Sequence, residues 1–143
     1  MKPNTAKAKW KAGEVTHGAW LSIPNSFTAE VMAHQGHDWI NIDMQHGVID
    51  DLQAAATMLQ AINTTETVPF VRVPWNEPGI IMKMLDAGAM GVIVPMVNTV
   101  EEAKAAVAAC RYHPGTSSGQ RACRSTRART TSPRRTRRSR SSR

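Results

Sequence analysis

The chain has no apolar run approaching the roughly 20 residues that cross a bilayer. Its basic start, MKPNTAKAKWKAG, is followed by no apolar stretch of the kind a secretion signal carries. These absences argue against a membrane-spanning or secreted protein. Only two cysteines occur, Cys110 and Cys123, and they fit neither a metal-binding spacing nor a disulfide framework. That usage points to a reducing, cytoplasmic setting. Neither G-x-G-x-x-G nor G-x-x-x-x-G-K is present, so no glycine-rich phosphate cradle is visible. Acid is missing too, but only locally: residues 116–143 hold ten Arg and no Asp or Glu.

That local absence makes the overall charge of +7 and the pI near 10.1 averages of two unlike parts. Residues 1–115 carry eight Lys and Arg against eleven Asp and Glu, a net of −3, whereas residues 116–143 carry +10. The 143 residues suffice for one ordinary domain. The first 115 read as that mildly acidic globular body and the remainder as a basic, low-complexity tail.

Within the body, apolar runs alternate with helical periodicity. GAWLSIP (18–24), DWINIDMQHG (38–47), TVPFVRVPWN (67–76) and GVIVPMVN (91–98) read as strand segments with their following turns. Between and after them, 26–36, 49–63, 77–88 and 99–112 read as helices. Ser26 can cap the first, with Gly36 closing it. Asp50 with Gln53, and Thr99 with Glu102, resemble capping boxes. Pro78 suits a first helical turn and Gly88 a C-terminal cap. Leu52, Ala55, Ala56, Leu59 and Ile62 share one helical face; Val100, Ala103, Val107 and Cys110 share another. Near-continuous apolar strands alternating with amphipathic helices argue a parallel α/β sheet covered by helices. An open doubly wound sheet and part of a (β/α)8 barrel both fit. Four units in 112 residues are about half of a barrel, which needs roughly 250 residues.

In either architecture ligands gather at the C-terminal ends of the strands, and polar residues gather there in this sequence. The second strand ends in Asp43, Gln45 and His46, and the third runs into Arg72. An imidazole with a pKa near its unperturbed value of about 6.5 is a suitable general base at neutral pH. A carboxylate beside it can fix its tautomer. An arginine on the adjacent strand can grip a carboxylate bidentately or steady an oxyanion. Base plus anion clamp suits proton abstraction next to a carbonyl. Blander roles compete: His46 as a solvated or capping loop residue, and Asp43 as an acceptor for backbone N–H groups. Arg72 resists dismissal, because a cation between Val71 and Val73 is costly unless paired. Asp86, late in a helix, should lie far from the rim of its own subunit. The eight methionines read as core filler.

WLSIPNSFTAEVMAHQGHDWINIDMQHG, then VPFVRVPWNEPGIIMKMLDAGAMGVIVPMVNTVEEAKAAV and RYHPG, resembles the N-terminal half of the HpcH/HpaI aldolase family. That family comprises aldolases of the 4-hydroxy-2-oxoheptanedioate and 2-dehydro-3-deoxyglucarate type. The resemblance spans roughly residues 14–115, with I-D-x-x-H, V-R-x-P-W-N, L-D-A-G and V-P-M-V in order. It implies a (β/α)8 barrel, here its first four units, and hexamers built from dimers. It also implies class II chemistry, in which a divalent metal (Mg2+, Mn2+ or Co2+) assists reversible cleavage of hydroxy-oxo acids to pyruvate and an aldehyde. By the same resemblance His46 matches the catalytic base, Asp43 the acid on its strand end, and Arg72 the pyruvate-binding arginine. Asp86 matches an aspartate that reaches a neighbouring subunit's histidine. The family's metal ligands, a Glu and an Asp on the fifth and sixth strands, have no counterpart in this chain.

After Gly115 the sequence becomes TSSGQRACRSTRARTTSPRRTRRSRSSR. One reading is a basic arm that neutralises phosphates and binds nucleic acid without sequence preference; no aromatic is interleaved to stack on bases. The favoured reading is a shifted reading frame. RTTSPRRT can be encoded as CGG ACT ACT TCG CCG CGC CGG ACT, which from its second G gives Asp-Tyr-Phe-Ala-Ala-Pro-Asp, similar to the family's continuation. On either reading a half barrel leaves strand edges open, and little or no aldolase activity is expected of the 143-residue chain.

Overall fold

A computed structural model describes residues 2–111. The Arg-rich tail, with its nucleic-acid and frame-shift readings, lies outside the described residues. Nine elements follow in order: α1 (Thr5–Lys11), β1 (Gly18–Leu21), α2 (Ser26–Ala33), β2 (Trp39–Asp43), α3 (Leu52–Ile62), β3 (Val68–Arg72), α4 (Pro78–Asp86), β4 (Gly91–Ile93) and α5 (Val100–Ala109). All three strand pairings are parallel and the sheet order is β1-β2-β3-β4. A doubly wound sheet reverses its order at a switch point. The unbroken order here is that of a barrel wall.

Local chemistry places the helix starts. Asn25, not Ser26, caps α2 by accepting from Thr28 N. Asp51, not Asp50, caps α3 by accepting from Gln53 N and Ala54 N. Each cap thus sits one residue from its sequence-based position, because a neighbouring residue carries an equally short polar side chain. Glu77 accepts from Gly79 N and Ile80 N ahead of Pro78, and Thr99 forms its box with Glu102. Gly88, at φ +112°, takes the left-handed turn that releases the chain from α4 into β4.

The sheet has two unlike faces. Ile40, Ile42 and Val71 point to the helical layer and are fully buried with Met58, Leu59, Ile62 and Ile81. On the other face, small residues meet large ones across strands: a Cβ on Gly18 would lie 2.1 Å from Trp39 Cε2, and one on Gly91 2.6 Å from Phe70 Cε1. Helix α1, absent from the sequence reading, closes the base of this face. Ala6 is buried with Val68 and Phe70, and the Trp10 ring stacks on Phe70 at 5.7 Å. Asn4 Nδ2 donates to the Met90 carbonyl, and Lys2 Nζ to those of Thr65 and Thr67.

One face was placed wrongly by periodicity. In α5 the buried residues are Ala106 and Ala109, while Val100, Ala103, Val107 and Cys110 are exposed. The helix docks through its small residues, and its larger apolar line looks away from the described structure.

Candidate active site

Four parallel strands turn their C-terminal ends to one side, and the polar residues of interest meet at the middle two. Asp43 ends β2 and Arg72 ends β3, and the two are register partners, so their side chains leave the same face. Arg72 grips Asp43 bidentately, Nε to Oδ1 at 2.9 Å and the terminal nitrogen to Oδ2 at 2.6 Å. The Asp43 side chain is 4% exposed and that of Arg72 21%. The pairing that a cation in an apolar strand demands is therefore met within the sheet.

Asp43 has further partners. Oδ2 accepts from Trp20 Nε1 at 2.9 Å, and Oδ1 accepts from the backbone N–H of Gln45 at 3.0 Å and of His46 at 3.2 Å. Burial by itself would push the Asp43 carboxyl up. The hydrogen bonds from Arg72, Trp20, His46 and Gln45 outweigh it and hold the group well below the usual carboxylate range. The same pairing raises Arg72, against a smaller desolvation effect. Asp43 is thus a permanent anion that orients the guanidinium and folds the 44–47 turn over itself. It meets His46 at the backbone N–H.

That turn carries His46 into solvent at the rim. It is held on three sides. Met44 N donates to the Arg72 carbonyl and Val48 N to the Ser22 carbonyl, both at 2.9 Å. A Cβ on Gly47 would lie 2.3 Å from the Asp43 carbonyl oxygen and 3.0 Å from Ser22 Cα, so only glycine allows this approach. The result is an exposed imidazole on a fixed turn, three residues from a buried ion pair.

Trp20 was read only as part of an apolar run, yet it completes this cluster. Its ring lies 5.0 Å from Arg72 Cζ, a cation–π contact, while its N–H goes to Asp43. The available signal was its place near the end of β1, where an indole N–H needs a partner. On the far side, Asn76 Nδ2 donates to the Glu102 carbonyl and ties the loop after β3 to α5. Met96, in the loop after β4, has φ 57°, a left-handed conformation costly for a residue with a side chain.

Asp86 stays apart. It is the last residue of α4, a helix that begins at the rim side and runs back toward the base where β4 starts. Among the described residues no group of three or more His, Cys, Asp or Glu is placed to hold a metal ion. Both Asp43 oxygens are engaged by nitrogen donors, so the described residues do not make a ligand set for a divalent ion. No described helix is long and apolar enough to cross a membrane.

Comparison with known proteins identifies the fold and the line of descent. The sequence model of HpcH/HpaI aldolase/citrate lyase matches residues 16–131, running past Gly115 into the Arg-rich segment. A hydroxypyruvate/pyruvate aldolase of Roseobacter denitrificans is 41% identical over 111 residues, which are 78% of this chain and 43% of that protein. A 4-hydroxy-2-oxo-heptane-1,7-dioate aldolase of Salmonella arizonae is 44% identical over 78% of this chain and 42% of its own length. Among solved structures, a HpcH/HpaI aldolase/citrate lyase family protein from Burkholderia cenocepacia superposes with a TM-score of 0.71 at 35% identity. That match covers 82% of this chain and 47% of the other. The citrate synthase SbnG gives 0.69 at 34%, over 76% and 44%. The chain therefore spans less than half the length of these relatives.

Proposed function

The chain belongs to the HpcH/HpaI aldolase/citrate lyase family, and from that premise we propose that its rim is the oxo-acid half-site of a class II aldolase. The reaction is the reversible cleavage of a hydroxy-oxo acid to pyruvate and an aldehyde. One observation carries the reading: a guanidinium fixed by a buried carboxylate at neighbouring strand ends, beside a turn that presents an imidazole.

Each residue has a task in that reaction. Arg72 has five N–H donors; two bond Asp43 and set the plane of the fork, which leaves three on a side chain that is 21% exposed. They suit the carboxylate of pyruvate and the oxygen that turns anionic as the enolate forms. Asp43 does not exchange protons near neutrality, since its carboxyl is held far below that range. It is a positioning residue. His46 is the general acid–base. In cleavage it takes the hydroxyl proton as the carbon–carbon bond breaks to give aldehyde and enolate, and a proton is delivered to the enolate carbon to give pyruvate. In the addition direction it removes that proton next to the carbonyl. By the family resemblance Asp86, at the opposite end of α4, reaches a neighbouring subunit of a homo-oligomeric enzyme, a hexamer in the family. A divalent metal (Mg2+, Mn2+ or Co2+) would need ligands from outside residues 2–111. The two cysteines fit a reducing, cytoplasmic setting.

The test is aldol cleavage by a closed barrel carrying this half, made by joining residues 1–111 to the second half of the Salmonella arizonae aldolase. Release of pyruvate from a 4-hydroxy-2-oxo acid is measured with a coupled dehydrogenase. Arg72→Ala should cut kcat/KM by about 100- to 1,000-fold, the scale of losing one oxyanion donor. Unchanged kcat/KM in a folded Arg72→Ala protein would refute the clamp.

A further inference from the structure

We propose that Trp20 is a positioning residue that holds the Arg72 guanidinium in one orientation through two separate contacts, its ring and its N–H. The consequence for catalysis rests on the aldolase reading of the rim, whereas the positioning itself does not.

Side chains on one face of the sheet sit in rows across the strands. Trp20 pairs with Asn41 and Asn41 with Phe70, one row below the pair of Asp43 with Arg72. Trp20 is therefore a diagonal neighbour of Asp43, a span that long or aromatic side chains cover. The indole covers it with a donor at its far edge. Nε1 donates to Asp43 Oδ2 at 2.9 Å, while Arg72 Cζ lies over the ring, 5.0 Å from its centroid. Arg72 in turn bonds both Asp43 oxygens. The three side chains form a closed triangle in which each meets the other two.

The triangle supplies what the ion pair alone lacks. Two bonds to one carboxylate hold the guanidinium by one edge, and a tilt about that edge stretches neither bond. A ring beneath Cζ, which is set back from the edge, opposes the tilt, and cation–π attraction favours the contact. The indole is fixed in its turn, because swinging away would break a charge-assisted hydrogen bond. Among the described residues Oδ1 accepts from Arg72, Gln45 and His46, but Oδ2 accepts only from Arg72 and Trp20. Losing the indole N–H thus leaves one donor on the oxygen that takes the shorter Arg72 bond, at 2.6 Å. Orientation matters because the three donors that Asp43 does not use lie away from the held edge, where a small tilt becomes a displacement. Misplacing a positioned group by about 1 Å costs about 100-fold in rate. A wall-filling aromatic would need neither contact. Phenylalanine offers a ring without a donor, and leucine offers neither.

The first test is made on the full 143-residue chain, by nitrogen–proton correlation NMR of the arginine Nε–H groups. Arg72 is assigned by the resonance lost in Arg72→Lys. In the parent its Nε–H should be protected from exchange and shifted by the indole ring current. Trp20→Phe should keep a ring shift but exchange at least about tenfold faster, the scale of losing one hydrogen bond to a charged group. Trp20→Leu should lose both shift and protection, with far-UV circular dichroism matching the parent in each variant. An Arg72 resonance unchanged in Trp20→Leu, or identical in Trp20→Phe and Trp20→Leu, would overturn the proposal. The second test is pyruvate release by the closed barrel. Trp20→Leu should lower kcat/KM about 100-fold and Trp20→Phe about tenfold. On an Arg72→Ala background, Trp20→Leu should change kcat/KM by no more than about twofold, since nothing is left to position. A loss carried undiminished into that background would show that Trp20 does not act through Arg72, and would overturn the proposal. A parent barrel that releases no pyruvate would refute the aldolase reading alone, and the arginine spectrum then decides the positioning.

Discussion

At the scale of single residues, one buried ion pair governs the candidate site. Arg72→Ala would leave Asp43 charged, 3% exposed and short of two of its donors. Removing one partner of a buried pair costs about 3–5 kcal/mol, and the part-exposed guanidinium places this case near about 3. Urea melts of the parent and Arg72→Ala at neutral pH measure it. The sign of the pH effect follows from the depressed Asp43 carboxyl. Its contribution is full above the unfolded carboxylate pKa of about 3.9 and is lost as pH falls toward the lower folded value. The stability gap between parent and Asp43→Asn should therefore be constant from pH 7 to about 5 and narrow below about pH 4. A gap that widens on acidification would contradict this. Part of this pair was legible in the sequence, because a cation between two valines requires a partner. Its partner's identity was not, because register decides it, and a one-residue slip would have turned the two side chains to opposite faces. Trp20 was missed for the same reason: an indole reads as core until its N–H is seen to meet a carboxylate.

At the scale of elements, the rim turn and the base helix do different work. Gly47 permits the turn after β2 to lie against the Asp43 carbonyl and Ser22. Gly47→Ala should cost about 1–3 kcal/mol by overpacking and displace His46. Thermal melts and the His46 ring resonances in a proton NMR spectrum would report both. At the base, Trp10→Ala removes the stack on Phe70 and should cost about 1 kcal/mol, with faster amide exchange confined to α1; uniform exchange throughout the sheet would show that α1 is no separate unit. Helix periodicity and capping residues made α2 to α5 legible. Helix α1 was not, since TAKAKWK has little apolar periodicity and gains its stability from packing on Val68 and Phe70. The exposed line on α5 was misjudged because periodicity marks an apolar face without saying whether the neighbour that covers it is present.

At the scale of the whole molecule, residues 2–111 form a barrel wall whose strand order, β1-β2-β3-β4, follows the sequence, with α1 packed at its base and polar residues at its mouth. The alternation of strands and helices was enough to read that class, while the choice between barrel and doubly wound sheet needed the strand order itself. What the wall carries is one side of a mouth: the Arg72 guanidinium, its anchor at Asp43 and an exposed His46. We propose that this side removes a proton from the carbon next to an oxo-acid's carbonyl. The most direct measurement is solvent-deuterium exchange into the methyl group of pyruvate, followed by proton NMR. It is made on the closed barrel described above, with and without His46→Ala. Exchange that falls by about 100-fold or more in His46→Ala, with pyruvate still bound, is the expected result for loss of a general base. Exchange undiminished in that variant would assign the base elsewhere and leave His46 a solvated loop residue.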